Sequence, residues 1–195
     1  TATCILPKGI KSSDCTMVAS ILKSDVASGD DYLIINLDTG DVVYEGLMST
    51  QSESNKRYNT DDYKNKFLVL RKVPCGSYQT GHEDYNGSNT PRVWNTDFDY
   101  YIGVFPVTQG QYTRICGVNP SSWKAKTGSI NDDNMLPLRP VETVTWYDIR
   151  GNGATPNNEI KASPDGTFLE RLNALTGMVG FDLPTEVMAE IALRA

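Results

Sequence analysis

The stretch FDLPTEVMAEIALRA, Phe181 to Ala195, closes the chain on a helix with a start and no stop. Thr185 is placed to cap it, and Glu186 falls in the first turn, where a carboxylate suits the positive end of the helix dipole. An apolar stripe follows, and no Gly, Asn or Pro comes after it to end the helix. The stretch therefore predicts a helix near the middle of a larger domain, with further chain expected beyond Ala195.

The bulk numbers bound the class. A chain of 195 residues with 39% hydrophobic and 22% charged residues has the make-up of a soluble globular protein, one domain with an extension. Its net charge of −6 at pH 7 and a sequence pI near 4.8 argue against nucleic acid, because neutralising phosphates takes clustered Lys and Arg. No apolar run approaches the ~20 residues that span a bilayer. The chain starts at Thr1, with no basic segment leading into an apolar one, so no signal peptide is visible. Cys4, Cys15, Cys75 and Cys116 are too few and too scattered for a disulfide scaffold, although Cys4 with Cys15 is a candidate pair in an exported protein. An exported or cell-surface location is favoured over a cytoplasmic one.

Along the chain, TMVASILKS (residues 16–24) has the pattern of a short helix. In DYLIINLDTGDVVYEG, Leu33, Ile35 and Leu37 alternate with Ile34, Asn36 and Asp38, and a turn from Asp38 to Asp41 leads into Val42–Tyr44: a β-hairpin. The polar STQSESNKRYNTDDYKNK is expected to be a loop. A strand then runs from Phe67 to Val73 and stops at Pro74. After another loop, GHEDYNGSNTPR, the run DFDYYIGVFPV supplies a second apolar strand region. Thr108 and Gln111 form a capping-box pattern with Gly117 placed as the stop, and Thr145 with Asp148 repeats the device. In TFLERLNALTG, Phe168, Leu169, Leu172 and Leu175 share one helical face that ends at Gly177. Short strands and helices in mixed order predict an α+β fold.

Four segments, in order, resemble the formylglycine-generating enzyme, or sulfatase-modifying factor (FGE-sulfatase), family. LVLRKVPCGSYQTG is similar to the family's Pro-x-Gly-x-aromatic-x-x-Gly opening, at Pro74, Gly76, Tyr78 and Gly81, with Cys75 where a small residue is usual. YYIGVFPVTQGQYTRICGVNPSSW resembles its aromatic strand, Val-Thr helix start and Asn-Pro-Ser element. RPVETVTWYDI resembles Arg-Pro-Val-x-x-Val-Ser-Trp, with Thr145 in the Ser place. FDLPTEVMAEIALRA is similar to Arg-Leu-Pro-Thr-Glu-Ala-Glu-Trp-Glu-Tyr-Ala-Ala-Arg at Leu183, Pro184, Thr185, Glu186, Glu190, Ala192 and Arg194, and departs from it at Asp182, Met188, Ala189 and Ile191. The resemblance implies a C-type-lectin-like fold, incomplete here. Residues 1–65 would be an N-terminal extension bearing the β-hairpin, and 66–195 the N-terminal part of the FGE-sulfatase domain. It also implies that the calcium loops, and the cysteine pair that holds copper beside a Gly-Gly-Ser segment, lie in a missing C-terminal half. No catalytic residue carries over.

The residues themselves favour plain roles. Cys75 and Cys116 are 41 positions apart without metal-type spacing, and read as small apolar or incidental thiols. His82, the only histidine, reads as a loop residue. Asp30–Asp31, Asp61–Asp62 and Asp132–Asp133 lack the alternating pattern and glycine turn of a calcium loop and read as solvated turns. Asp97 and Asp99 flank Phe98 and read as charges guarding a strand edge. Most aromatics, among them Phe98, Tyr100, Tyr101, Phe105, Trp146 and Tyr147, read as core, leaving Trp94 and Trp123 as the ligand-binding candidates. Asn86-Gly87-Ser88 is a glycosylation acceptor only in a eukaryotic secretory setting. The expectation is a bacterial, non-catalytic ligand-binding or display domain without a cofactor in this chain, its partner a protein or a small ligand. The alternative is part of a formylglycine-generating oxidase.

Overall fold

The alternation in YLIIN sets the architecture, because both of its faces are apolar. Leu33 and Ile35 point to one side and Tyr32 and Ile34 to the other, and all four are buried. A strand apolar on both faces must sit inside a sheet covered on both sides. The computed structural model, which describes residues 29–47, 50–81, 91–123, 133–151 and 166–194, places it there.

Strand β1 (Tyr32–Asn36) lies between β2 (Val42–Glu45) and β3 (Phe67–Val73), and β6 (Tyr100–Gly103) pairs with the far side of β3, giving an antiparallel sheet of order β2-β1-β3-β6. The register sets Tyr32 opposite both Glu45 and Arg71, and Arg71 opposite Ile102. A separate ribbon pairs β4 (Gly76–Thr80) with β5 (Arg92–Thr96), setting Tyr78 opposite Trp94. The chain is thus mixed α+β with antiparallel sheets.

One face of the sheet carries Leu33, Ile35, Leu68 and Leu70. It is covered by α3 (Gln109–Cys116) and α5 (Phe168–Thr176), through Tyr112, Ile115, Phe168, Leu169 and Leu172. Short α4 (Trp146–Arg150) packs on α5. On the other face, Tyr32, Ile34 and Val69 pack against Tyr58, which ends α1 (Gln51–Tyr58), and against Tyr63 in α2 (Asp61–Asn65). At the far end of that face Val73 and Tyr100 pack against Ile191 of α6 (Glu186–Arg194).

The expected hairpin, the Phe67–Val73 strand and the capped helices are all present. Thr108 with Gln111, and Thr145 with Asp148, each form reciprocal capping boxes, and Gly117 and Gly177 close their helices in the left-handed conformation. The polar stretch after residue 49 is corrected. It holds two helices, because Thr50 and Glu53 cap each other reciprocally and Ser54 and Tyr58 turn inward to full burial. The expected helix at 16–24, Cys4, Cys15, His82, Asn86 and Asp132 lie outside the described residues.

The β1–β2 turn abuts α5. Gly40 has φ +82°, and a Cβ built there would fall 2.1 Å from the Leu175 carbonyl oxygen. Gly40→Ala therefore meets both a disfavoured backbone and a backbone clash, with an expected loss of about 2 kcal/mol or more. Urea unfolding of the variant checks this.

Candidate functional site

Two of the motif segments, through the Val-Thr helix start, the Asn-Pro-Ser element and Arg-Pro-Val, meet at one end of α3. Thr108, the cap, pairs with Pro140 in an isolated bridge, and the Gln109 amide donates to the Arg139 carbonyl at 2.8 Å. The buried Gln109 side chain accepts from Asn119 and donates to the Trp123 carbonyl. Asn119 in turn receives the Ser121 amide, and the buried Ser121 hydroxyl accepts from the Glu142 amide at 3.2 Å. The Glu142 carboxylate takes the Trp123 amide at 2.9 Å and the Thr143 hydroxyl. Thr143 sits at φ +61°, a conformation a β-branched residue adopts only when its surroundings hold it there. The Asn-Pro-Ser and Arg-Pro-Val segments are staples here, and their polar groups are spent on each other.

The last helix is clamped in the same way. Glu190 accepts the Gly81 amide at 2.6 Å, Arg194 donates to the Gly81 carbonyl at 2.8 Å, and the two side chains pair at 2.7 Å. This locks α6 to the end of β4, and Tyr100 adds a hydroxyl bond to the Met188 carbonyl. Asp182, a departure from the resemblance, has a local reason. The buried Arg150 forms an ion pair with it, Nε lying 2.8 Å from one carboxylate oxygen and Nη2 donating to the other at 2.9 Å, while the guanidinium lies over the Trp146 ring. An arginine in the Asp182 place would set two cations together.

Behind β4, Lys72 bridges Asp30 at 2.7 Å and Asp99 at 2.9 Å, and Asp99 also accepts the Cys75 amide. Burial pulls the Lys72 ammonium down, but the bonds to the two carboxylates outweigh it and its pKa is raised. The Cys75 amide and Lys72 lower Asp99 to about 2. Asp31 receives the Leu47 amide, while Asp61 and Asp62 sit in the first turn of α2, the latter paired with Lys66. Asp30, Asp31, Asp62 and Asp99 are thus tied into the fold rather than only solvated. Asp99 in particular is a bridge between β3 and the start of β4. Cys75 is exposed and Cys116 half-buried, its thiol pushed up by burial. Among the described residues no group of three or more His, Cys, Asp or Glu fits a metal ion, so neither copper nor calcium chemistry is derived from them.

Of the two tryptophan candidates, Trp94 projects from β5 at 42% exposure beside Tyr78, with Val93 at 69% next to it and Phe98 at 52% just beyond. Trp123 has its backbone fixed by Gln109 and Glu142 and its ring 62% exposed. The two stand on separate elements, and nothing in the described structure joins them. A cavity of about 430 Å³ near α3 is lined by Asn65, Gln109, Asn119 and Arg114. Its polar groups are already engaged, Arg114 with Asp38 and the Asn65 carbonyl. A second cavity, about 340 Å³, opens between β3, β4, β6 and α6, with Arg71 and Tyr78 in its wall. Sequence reasoning passed over Arg71. Its signal was a charged residue between Val69 and Val73 on the same apolar face of a strand.

The family model for the sulfatase-modifying factor enzyme 1-like domain matches residues 56–195. A chaperone protein, LppX, of Paenibacillus barcinonensis is 34% identical over 103 residues, which cover 53% of this chain and 28% of that protein. The solved structure of Treponema denticola variable protein 1 aligns at 23% identity and a TM-score of 0.40, over 57% of this chain and 32% of its own. The chain thus spans less than a third of the length of either relative.

Two outcomes follow from the charges. Asp182→Arg leaves the buried Arg150 facing a like charge and should cost about 2–3 kcal/mol, short of a fully buried pair because Asp182 is half exposed; chemical denaturation measures it. Asp99 has its pKa depressed from an unfolded value of about 3.9. Its stabilisation is therefore complete above about pH 4 and is lost as pH falls towards about 2. Asp99→Asn should flatten the acid limb of stability across that window, read from melting temperatures at stepped pH.

Proposed function

This chain belongs to the sulfatase-modifying factor enzyme 1-like (FGE-sulfatase) domain family, and from that premise we propose that it is a non-catalytic binding domain whose partner is a polypeptide. One observation carries the reading. The β4–β5 ribbon forms a sheet of its own and leaves Trp94 exposed on one face, Val93 on the other and Phe98 just past its end. Apolar and aromatic groups left in water at a rigid position are what a protein partner buries, and Trp leads among residues that dominate such contacts.

Two further points support it. Among the described residues, the polar groups around α3, α6 and Lys72 are engaged in holding the fold. A relative that shares a 103-residue segment bears the name of a chaperone protein, a class that acts on other polypeptides. Within this reading the unit takes a C-type-lectin-like form, with its extension in residues 1–65. It works outside the cytoplasm, uses Trp94 and Trp123 as contacts, and needs no cofactor in this segment. No helix among the described residues is long and apolar enough to cross a membrane.

The family's name favours a second reading, in which the whole protein oxidises a target cysteine to formylglycine with O₂, on copper held by cysteines outside this segment. A single preparation of the full-length protein separates the two. We expect it to bind a permanently unfolded polypeptide, reduced and carboxymethylated α-lactalbumin, in fluorescence anisotropy. Trp94→Ala should weaken that binding by about 5- to 30-fold, the loss typical of an interface aromatic. Aldehyde formation on a cysteine-containing sulfatase peptide, with no polypeptide binding, would establish the oxidase instead.

A further inference from the structure

The face of the sheet turned towards α6 has a gap in its cover. Tyr32, Ile34 and Val69 are sealed at one end by Tyr58 and Tyr63, and Val73 and Tyr100 at the other by Ile191. Between these two apolar clusters lies Arg71, in the lateral row Glu45, Tyr32, Arg71 and Ile102. The cavity of about 340 Å³ opens there, walled by Arg71, Val73, Pro74, Tyr78, Ile102 and Ala192, together with Lys72, whose ammonium is paired with Asp30 and Asp99.

The carboxylates around it have other partners. Glu45, in the same row, is held by Arg57 at 3.0 Å and by the Tyr58 hydroxyl at 2.7 Å. Asp30 and Asp99 are taken by Lys72, and Glu190 by Arg194 and the Gly81 amide. Among the described residues none pairs with Arg71, so the cavity couples apolar walls to one uncompensated, half-buried guanidinium. A guanidinium in that setting favours a carboxylate, which it can grip with two parallel bonds.

We propose that this cavity binds the C-terminal residue of a polypeptide, its carboxylate on Arg71 and its apolar side chain between Tyr78, Ile102 and Ala192. Within a polypeptide, the partner class of the binding reading, only the last residue carries a carboxylate and a side chain on the same Cα, so one residue satisfies both features of a cavity this small, close to the lower size limit of ligand pockets. Tyr78 also stands opposite Trp94, so the rest of the bound chain would continue onto the exposed ribbon. The inference rests on the binding reading above and adds to it the end of the partner that is recognised.

The test is isothermal titration of the full chain with acetyl-Ala-Ala-Phe, as the free acid and as the C-terminal amide, with octanoate as a third probe. The free acid is expected to bind at least tenfold more tightly than the amide. Arg71→Gln should abolish that difference, while Ala192→Leu, which fills the cavity without touching the charge, should weaken the acid and the amide alike. Melting temperatures of both variants within a few degrees of the parent confirm that they are folded. Equal binding of acid and amide, or an Arg71→Gln variant that still discriminates, overturns the proposal, and octanoate binding as tightly as the peptide reassigns the cavity to fatty acids. If the tripeptide fails while the unfolded polypeptide still binds through Trp94, this inference falls and the binding reading stands.

Discussion

The structure depends on a sheet that must be covered on both sides. β1 and β3 present apolar side chains to both faces, Leu33, Ile35, Leu68 and Leu70 to one and Tyr32, Ile34, Val69 and Val73 to the other. Leaving either face in water would forgo most of the burial that holds a domain of this size together. One face is closed by α3 and α5 as a continuous layer. The other is closed in two pieces, α1 with α2 and, separately, α6. The candidate cavity is the seam between those pieces. Because β1 fills one whole side of β3, the hairpin before residue 46 is integral to the sheet, although the family match begins only at residue 56.

That constraint also explains why the recurring motifs read as architecture. Irregular segments buried against a sheet must satisfy their backbone groups with side chains. Gln109, Asn119, Ser121 and Glu142 do this for the segments beside α3, and Glu190 with Arg194 does it for Gly81 at the end of β4. Residues used in this way are hydrogen-bonded and fixed, which suits a rigid frame and leaves few groups free to move a proton. Chemistry or recognition then falls to what the frame leaves open: the exposed ribbon, the Trp123 ring and Arg71.

Local signals were legible in the sequence. The hairpin was readable from its alternation, and the helix starts at Thr108, Thr145 and Thr185 from cap residues, because each rule acts within a few positions. The same rule was present at Thr50 and Glu53, but the polarity of the segment outweighed it. α1 buries only Ser54 and Tyr58 among its described side chains, too little apolar pattern to announce a helix. β4 and β5 were missed for a related reason: β4 turns only Gly76, Tyr78 and Thr80 inward, β5 is exposed along most of its length, and neither GSYQT nor RVWNT carries an apolar alternation. The exposure of Trp94 and Trp123 was anticipated, whereas Phe98 and Tyr147, read as core, are corrected: both rings are more than half exposed, Phe98 just past the ribbon and Tyr147 on the outer side of α4. The cavity was not anticipated, because it joins β3, β4, β6 and α6, and a juxtaposition of four separate segments leaves no trace in any one of them.

The departures in the last helix bear on that cavity. The family pattern places Tyr where this chain has Ile191 and Trp where it has Ala189. Ile191 is fully buried and packs in one cluster with Val73 and Tyr100, joined by Tyr78, Ile102 and Ala192. An aromatic in the Ile191 place carries more volume and, for tyrosine, a hydroxyl that needs a partner. The smaller aliphatic needs neither, and in a close-packed layer volume that is withdrawn must be refilled or left as space. Here Ala192 and Ile102 border space, with an arginine whose charge the described residues leave unmatched. Substitutions that only repacked a core would be expected to close it. A charged cleft left open at Tyr78, the residue opposite Trp94, supports the binding reading proposed above.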